Sequence, residues 1–307
     1  MADVFDLMII GGGPAGLTAA VYASRARLNT MVLEGGVIGG QAAITDRIDN
    51  YPGFPQGVTG ADLAAQMEEQ ARKFGAFIVS DMAESVDERG GVFYAKGYGG
   101  EYAARAMIVA PGCEYRRMAV PGEEEFIGRG VSFCATCDAA FYRNQRVAVI
   151  GGGDSAVKEA LYLTKFASEV VIVHRRDQLR AEKIIQEEAF ANPKISFSWN
   201  SVPVRVNGGD VVTGLLLRDV KSGAESELAV DGVFVFIGMN PRTAFLTGFV
   251  GMDPAGYVIA DGEMATSRRG VFAAGDVRSK QLRQVSTAVG DGATAAFAAE
   301  HYLEGLR

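Results

Sequence analysis

Short apolar runs that stop abruptly at glycine punctuate this chain. Met8-Ile9-Ile10 leads into Gly11-Gly12-Gly13-Pro14-Ala15-Gly16, and Val147-Ala148-Val149-Ile150 leads into Gly151-Gly152-Gly153-Asp154-Ser155-Ala156. Each predicts a buried strand, a Gly-x-Gly-x-x-Gly/Ala turn and a helix. The two copies keep register past the turn: Leu17 matches Val157, Ala20 matches Ala160, Tyr22 matches Tyr162, and the second strands Met31-Val32-Leu33 and Val171-Ile172-Val173 coincide. After the first copy a Gly/Pro loop, Asn50-Tyr51-Pro52-Gly53-Phe54-Pro55, precedes a helical pattern from Asp62 to Phe74 with Leu63, Met67, Ala71 and Phe74 on one face. β-rich segments follow around Phe77 to Val86, Val92 to Tyr98 and Ala106 to Ala110, and again up to Val233-Phe234-Val235-Phe236-Ile237-Gly238. A last buried strand, Gly270-Val271-Phe272-Ala273-Ala274-Gly275-Asp276, delivers a carboxylate to its carboxyl end, where ligands of such sheets collect. Taken alone, Asp276 could instead be a turn residue or a helix N-cap. The order of segments predicts an α/β fold in which one domain is inserted into another.

The glycine turns carry the first chemistry. Glycine lets the backbone turn sharply and approach a pyrophosphate, whose charge rests on the free N–H groups of the following helix. Two dinucleotides are therefore expected. At the end of the second strand, where the adenosine ribose is read, the first copy has Glu34 and the second has His174-Arg175-Arg176, with Arg180 beyond. A carboxylate accepts a hydrogen bond from a ribose 2′-hydroxyl and repels a 2′-phosphate, whereas guanidinium groups bind that phosphate. The first site suits FAD or NAD, and the second NADP(H). A run of three basic residues is usually a solvated face, and its place at the strand end is what gives it a role here.

Composition narrows the function. The 307 residues suffice for two domains, and 30 Lys+Arg against 37 Asp+Glu leave a net charge of −7. No basic tract with interleaved aromatics is present, which argues against nucleic acid as a partner. The acidic N-terminus Met1-Ala2-Asp3-Val4-Phe5-Asp6 runs straight into the first core strand and leaves no room for a signal peptide. No apolar run reaches the roughly 18 residues of a membrane span, so a soluble cytoplasmic protein is expected. The cysteines are Cys113, Cys134 and Cys137, and the histidines His174 and His301. A zinc site on Cys134 and Cys137 lacks two further ligands, so no metal is expected, and the pair is read as a reversible dithiol. Cys113 has no partner in sequence and reads as a small apolar filler.

The set Gly11 to Gly16, Asn50-Tyr51-Pro52-Gly53, Cys134-Ala135-Thr136-Cys137-Asp138, Gly151 to Ala156, His174-Arg175-Arg176 with Arg180, and Ala274-Gly275-Asp276-Val277 with Arg283-Gln284-Val285 resembles low-molecular-weight thioredoxin reductase along essentially the whole chain. The resemblance implies a homodimer of two Rossmann-like domains. The FAD domain would be discontinuous, residues 1 to 115 and 245 to 307, with an NADPH domain, residues 116 to 244, inserted. By position, Gly11, Gly13, Pro14, Ala15, Gly16 and Glu34 would bind the FAD adenosine and pyrophosphate. Gly40, Gln41, Asn50, Asp276, Arg283, Gln284 and Val285 would bind the ribityl chain and flavin. Gly153, Asp154, Ser155 and Ala156 would seat NADPH, and His174, Arg175, Arg176 and Arg180 its 2′-phosphate. Three positions depart from the family pattern: Lys158 replaces the first of two glutamates, Pro111 stands where Thr is common, and Ala139 replaces a Gly.

The implied mechanism passes a hydride from NADPH to flavin, electrons to the Cys134–Cys137 disulfide, and then to the disulfide of thioredoxin. Cys137 would be the flavin-proximal sulfur, Cys134 the interchange thiol and Asp138 the general acid. From the residues alone, Asp138 could instead simply cap the next helix. Nicotinamide and disulfide would be presented to one flavin in turn, with hinges near Gly112 to Gly122 and Gly238 to Gly248. Four other readings stand beside this one. A peroxiredoxin's flavoprotein reductase carries extra domains ahead of the FAD site, a ferredoxin-dependent enzyme lacks the arginines, and a ferredoxin–NADP reductase lacks the Cys pair. A non-catalytic redox sensor would bleach its flavin without turnover.

Overall fold

The computed structural model describes residues 4–45, 48 and 50–306. Met1, Ala2 and Asp3, the start of the acidic N-terminus, lie outside the described residues. The chain opens with β1 (Val4–Ile10), α1 (Pro14–Arg25), β2 (Thr30–Leu33), a single turn α2 (Gly40–Ala43) and α3 (Gly60–Lys73). β3 (Phe77–Val79), β4 (Ser85–Arg89), β5 (Val92–Lys96), β6 (Glu101–Val109) and β7 (Cys113–Tyr115) follow. Next come β8 (Val131–Ser132), α4 (Ala135–Asp138), β9 (Arg146–Ile150), α5 (Asp154–Leu163), β10 (Glu169–Val173), α6 (Lys183–Ala191) and β11 (Ile195–Ser198). β12 (Ser201–Gly208), β13 (Val212–Asp219), β14 (Glu225–Ala229), β15 (Gly232–Val235) and β16 (Met239–Pro241) lead to β17 (Val271–Ala273) and α7 (Val285–Glu304).

Two compact units result: one runs to Glu114 and resumes at Asn240, and the other spans Tyr115–Met239. In the first, the strands lie in the order β3-β2-β1-β6-β5-β4, and β17 pairs with β6. β1, β2, β3, β6 and β17 pair in parallel, and β4 and β5 form an antiparallel extension. β1 is buried on both faces, as its continuous apolar run requires. Leu7 and Ile9 join the core under α1 and α7, and Met8 and Ile10 join a second core with Phe93 and Val258 on the opposite face. α1 and α7 approach closely because small residues line the contact. A Cβ on Gly292 would run into the Ala15 carbonyl.

The second unit holds a parallel sheet, β11-β10-β9-β15-β8, and an antiparallel one, β12-β13-β14. Val147 and Val149 face α5, while Ala148 and Ile150 face the β12–β14 side. The glycine turns superpose in their hydrogen bonding. Gly11 N–H donates to Leu33 O at 2.8 Å and Gly151 N–H to Val173 O at 3.1 Å; Ala110 N–H donates to Ile10 O and Phe236 N–H to Ile150 O. At the chain crossings, Arg242 N–H donates to Gly112 O in the first unit and Arg116 N–H to Gly238 O in the second.

The structure corrects the helix expected from Asp62. α3 begins at Gly60 because the Thr59 side chain accepts from Asp62 N–H as N-cap. Leu63 and Ala71 are buried and Met67 packs against the core. Phe74 is instead the C-cap and 37% exposed, with Arg25 stacked on its ring. The Phe77 to Val86 segment is two strands, broken where Asp81 turns inward to accept from Met82, Tyr98 and Gly99 N–H and from the Tyr102 hydroxyl.

Candidate active site

In the first unit the turn after β1 needs its glycines. Gly11 has φ +111°, and a Cβ there would strike the Ala110 carbonyl. A Cβ on Gly16 would strike the Gly11 carbonyl, whereas one on Gly13 would have nothing within 4 Å. The turn is thus packed from behind and open in front, as a backbone that receives a phosphate must be. Gly13 is the N-cap of α1, with Pro14 in its first turn and no side chain capping its free N–H groups. Ala15 is buried at the α7 contact. Glu34 braces the turn: Oε2 accepts from Gly12 N–H at 2.6 Å and Oε1 from Gly36 N–H at 2.7 Å. Gly39 N–H donates to Gly12 O, and an added Cβ on Gly40 would lie 3.5 Å from Gly13 Cα, so the α2 turn borders the same opening. Gln41 is exposed on α2.

The C-terminal segment reaches the same place. Gly275 abuts Ala15 at 2.8 Å for an added Cβ. Asp276 follows, inside the 3-10 turn Gly275–Val277 rather than at its N-cap, which is Ala274. Its backbone oxygen accepts from Cys113 Sγ at 2.9 Å and Arg283 Nε at 3.2 Å. Its Oδ1 is shut off from solvent without a hydrogen-bond partner, and burial raises its carboxyl above the ordinary range. Arg283 stacks on Tyr257 at 4.2 Å. Gln284 N-caps α7, ahead of Val285 as first helical residue, and its Oε1 accepts from Asn50 Nδ2 at 2.8 Å.

Cys113 is buried, as a filler is, but it also donates a hydrogen bond. Burial pushes its thiol up to about 12, with the Asp276 carboxylate adding to the effect. Cys113 is expected to resist alkylation at neutral pH and to react with iodoacetamide only after unfolding. Peptide mapping of the labelled native protein checks this, and rapid native labelling would count against it. Because the folded state keeps this proton, the contribution to stability is lost as pH rises past the ordinary thiol value.

In the second unit Gly151 has φ +146° and Gly153 is the N-cap of α5, again without a side-chain cap. Ala156 is fully buried behind the turn, and Ser155 is exposed in the helix's first turn. Asp154 Oδ1 accepts from Glu182 N–H at 2.7 Å, and Arg180 N–H donates to Gly152 O, so the loop after β10 folds back onto the turn. His174 is 4% exposed, and its ring occupies the space a Cβ on Gly152 would need. Its Nε2 is buried without a partner. Burial first, then Arg180, Arg176 and Arg175, holds it below its ordinary value and hence neutral at pH 7. Arg175, Arg176 and Arg180 are exposed, and among the described residues no carboxylate forms an ion pair with them.

Cys134 and Cys137 are disulfide-bonded with Cα atoms 5.3 Å apart. Cys134 is the N-cap of α4, Cys137 lies within it and Asp138 ends it. Asp138 precedes the 3-10 turn Ala139–Tyr142, but its side chain does not cap that turn. Its Oδ2 instead accepts from Ser132 Oγ at 2.6 Å, and Ser132 Oγ accepts from Cys134 N–H at 3.1 Å. Ser132 thus ties the carboxylate to the backbone of the redox pair. Thr136 Oγ1 lies 3.4 Å from Cys134 Sγ. Ala139 has φ −55°, so the absence of glycine there costs no strain. Lys158 is exposed on α5. Ser132 escaped the sequence reading because a lone serine two residues before a cysteine has no signature. The partly buried cluster of Arg278, Lys280 and Asp291 beside Asp276 escaped it as well.

Among the described residues no three His, Cys, Asp or Glu side chains gather as a metal site, and no helix is long and apolar enough to cross a membrane. Both turns fit a dinucleotide: backs closed, fronts open, helix N–H groups uncapped, and in the second unit His174 Nε2 left without a partner. Residues 5–292 match the family model of pyridine nucleotide-disulphide oxidoreductases. A thioredoxin reductase of Peptoclostridium acidaminophilum is 49% identical, covering 99% of this chain and 98% of the relative. That of Treponema pallidum is 48% identical, with both chains covered in full. The crystal structure of thioredoxin reductase from Streptococcus pyogenes superposes with a TM-score of 0.94 at 46% identity, over 99% of this chain and 100% of the other. The chain belongs to the pyridine nucleotide-disulphide oxidoreductase family, among its thioredoxin reductases.

Proposed function

We propose that this protein carries electrons from NADPH through FAD and the Cys134–Cys137 pair to the disulfide of thioredoxin, as a cytoplasmic homodimer. The observation that carries it is a disulfide between Cys134 and Cys137 in the same unit as a dinucleotide turn, with a fixed carboxylate, Asp138, adjoining it. FAD fits the first unit: Gly11 to Gly16 and Glu34 for adenosine and pyrophosphate, Gly40, Gln41, Asn50, Asp276 and Arg283 to Val285 for ribityl chain and flavin. NADPH fits the second, on Gly153 to Ala156, with Arg175, Arg176 and Arg180 supplying the charge for its 2′-phosphate. Since His174 is neutral and buried, its contribution is a hydrogen bond through Nε2 rather than a charge.

The chemistry that the two dinucleotides supply when bound is a hydride from nicotinamide and an electron pair for the disulfide. Reduction converts Cys134–Cys137 to a dithiol. Cys134 Sγ then attacks one sulfur of the thioredoxin disulfide, which breaks that bond and forms a mixed disulfide. Attack by Cys137 Sγ on Cys134 Sγ restores the internal disulfide and releases reduced thioredoxin. The two protons of the dithiol end on the thioredoxin sulfurs, and Asp138, held by Ser132, relays one of them to the departing thiolate. Residues 115–239 carry both the NADPH turn and the dithiol, so the reading has that unit rotate about its two crossings between steps.

Stopped-flow mixing of the yellow protein with NADPH, followed by thioredoxin and insulin as reporter, tests the assignment. Fast bleaching with thioredoxin-dependent turnover is expected. Turnover with reduced ferredoxin alone, or bleaching without turnover, would overturn it.

A further inference from the structure

Behind Asp276 lies a partly buried ionic cluster that neither nucleotide turn requires. Asp291, in the second turn of α7, receives Lys280 Nζ on Oδ2 at 2.9 Å and Arg278 Nη1 on Oδ1 at 3.0 Å. The Gly275 N–H also donates to Asp291 Oδ2 at 3.0 Å. All three charged side chains are only 12–14% exposed. Lys280 Nζ is further fixed by Thr287 Oγ1 at 3.4 Å, and it stands 4.0 Å from the enclosed Oδ1 of Asp276. One carboxylate therefore anchors the backbone next to Asp276 and the cation beside it. Oδ1 is enclosed while the Asp276 side chain is still 32% exposed, and among the described residues no hydrogen bond occupies Oδ2, so Oδ2 is the oxygen left for a ligand.

We infer that Lys280, clamped by Asp291, is a positioning residue that keeps Asp276 ionised with Oδ1 inward and Oδ2 offered as an acceptor to the ribityl hydroxyls of FAD. This rests on the assignment of FAD to the first unit. The physical need is plain. Removal from water disfavours a carboxylate, and a protonated Asp276 would accept more weakly. Lys280 and Arg283 oppose that loss, whereas Asp291 adds to it. Arg278 and Lys280 neutralise Asp291 in turn. The other titratable groups facing this point, Cys113 and Tyr257, stay protonated because burial raises both.

The test is flavin release from the holoenzyme on dilution, followed by flavin fluorescence between about pH 5 and pH 8. Loss of the cation raises the Asp276 carboxyl further, so protonation sets in at higher pH. In Lys280→Met, release is expected to be at least about tenfold faster at neutral pH, with its acid limb displaced upward. Lys280→Arg should restore the wild-type profile. On an Asp276→Asn background the Lys280→Met change should add nothing, because the group it acts through is gone. Lys280→Gln serves if Lys280→Met fails to fold. A Lys280→Met or Lys280→Gln profile equal to wild type, or an undiminished effect on the Asp276→Asn background, would overturn the inference and leave the FAD assignment standing. A wild-type protein that binds no FAD would remove that assignment instead.

Discussion

Cys134→Ser is expected to abolish thioredoxin-dependent turnover while bound flavin is still reduced by NADPH at the wild-type rate. A serine hydroxyl keeps the volume of the thiol but is neither ionised at pH 7 nor able to form a disulfide, so the interchange step has no nucleophile. The half-reaction upstream does not involve Cys134 Sγ in its bond changes. The loss is expected to exceed three orders of magnitude in kcat, since a covalent step is removed outright. Stopped-flow flavin bleaching and steady-state thioredoxin reduction, measured on one preparation, separate the two. A slowed bleaching phase would reassign Cys134 to the flavin-proximal position. The geometry adds an internal control. Cys134 N–H and Asp138 Oδ2 both meet Ser132 Oγ through groups that the substitution leaves intact, so the carboxylate should stay in place.

The second large effect concerns the nicotinamide donor. Replacing Arg175 and Arg176 together by alanine is expected to raise the KM for NADPH by about a hundredfold or more and leave that for NADH nearly unchanged. Hydrogen bonds to charged groups contribute roughly 1.5–3 kcal/mol each, so losing two accounts for that factor. Both side chains are exposed and form no ion pair among the described residues, so their removal should not lower stability measurably. Steady-state kinetics with both dinucleotides checks this. Equal losses for NADPH and NADH would mean that the pair acts on something other than the 2′-phosphate. His174→Ala should behave differently, opening a cavity under Gly152 and weakening both dinucleotides, because its ring packs against the turn itself.

The parts of the site that could be read from sequence are those encoded in short contiguous stretches. Each nucleotide turn is specified within one strand–turn–helix segment, since glycine at Gly11 or Gly151 answers a local collision with a neighbouring backbone. The Cys134–Cys137 pair closes across three positions. Asp138 shows where that legibility ends. Sequence left it between helix cap and acid, and only the tertiary structure showed its carboxylate tied through Ser132 to the backbone of Cys134. Phe74 shows the same limit for the fold. It satisfied the helical spacing, yet the helix had already ended at Lys73.

By itself the sequence determined an α/β fold, two dinucleotide turns in register, the charge difference between Glu34 and the arginines, and a dithiol beside them, because these depend on backbone conformation and charge over neighbouring residues. The tertiary structure decided what depends on groups far apart in the chain. Cys113 meets Asp276 across 163 positions and Asn50 meets Gln284 across 234. α7, whose Ala- and Gly-rich run has no broad apolar stripe, owes its place to close contact with α1 at Gly292 and Ala15. Ser132, Lys280 and Asp291 are ordinary polar residues in sequence. Burial and the partners that folding brings to them turn them into parts of the site, and neither is encoded in a local pattern.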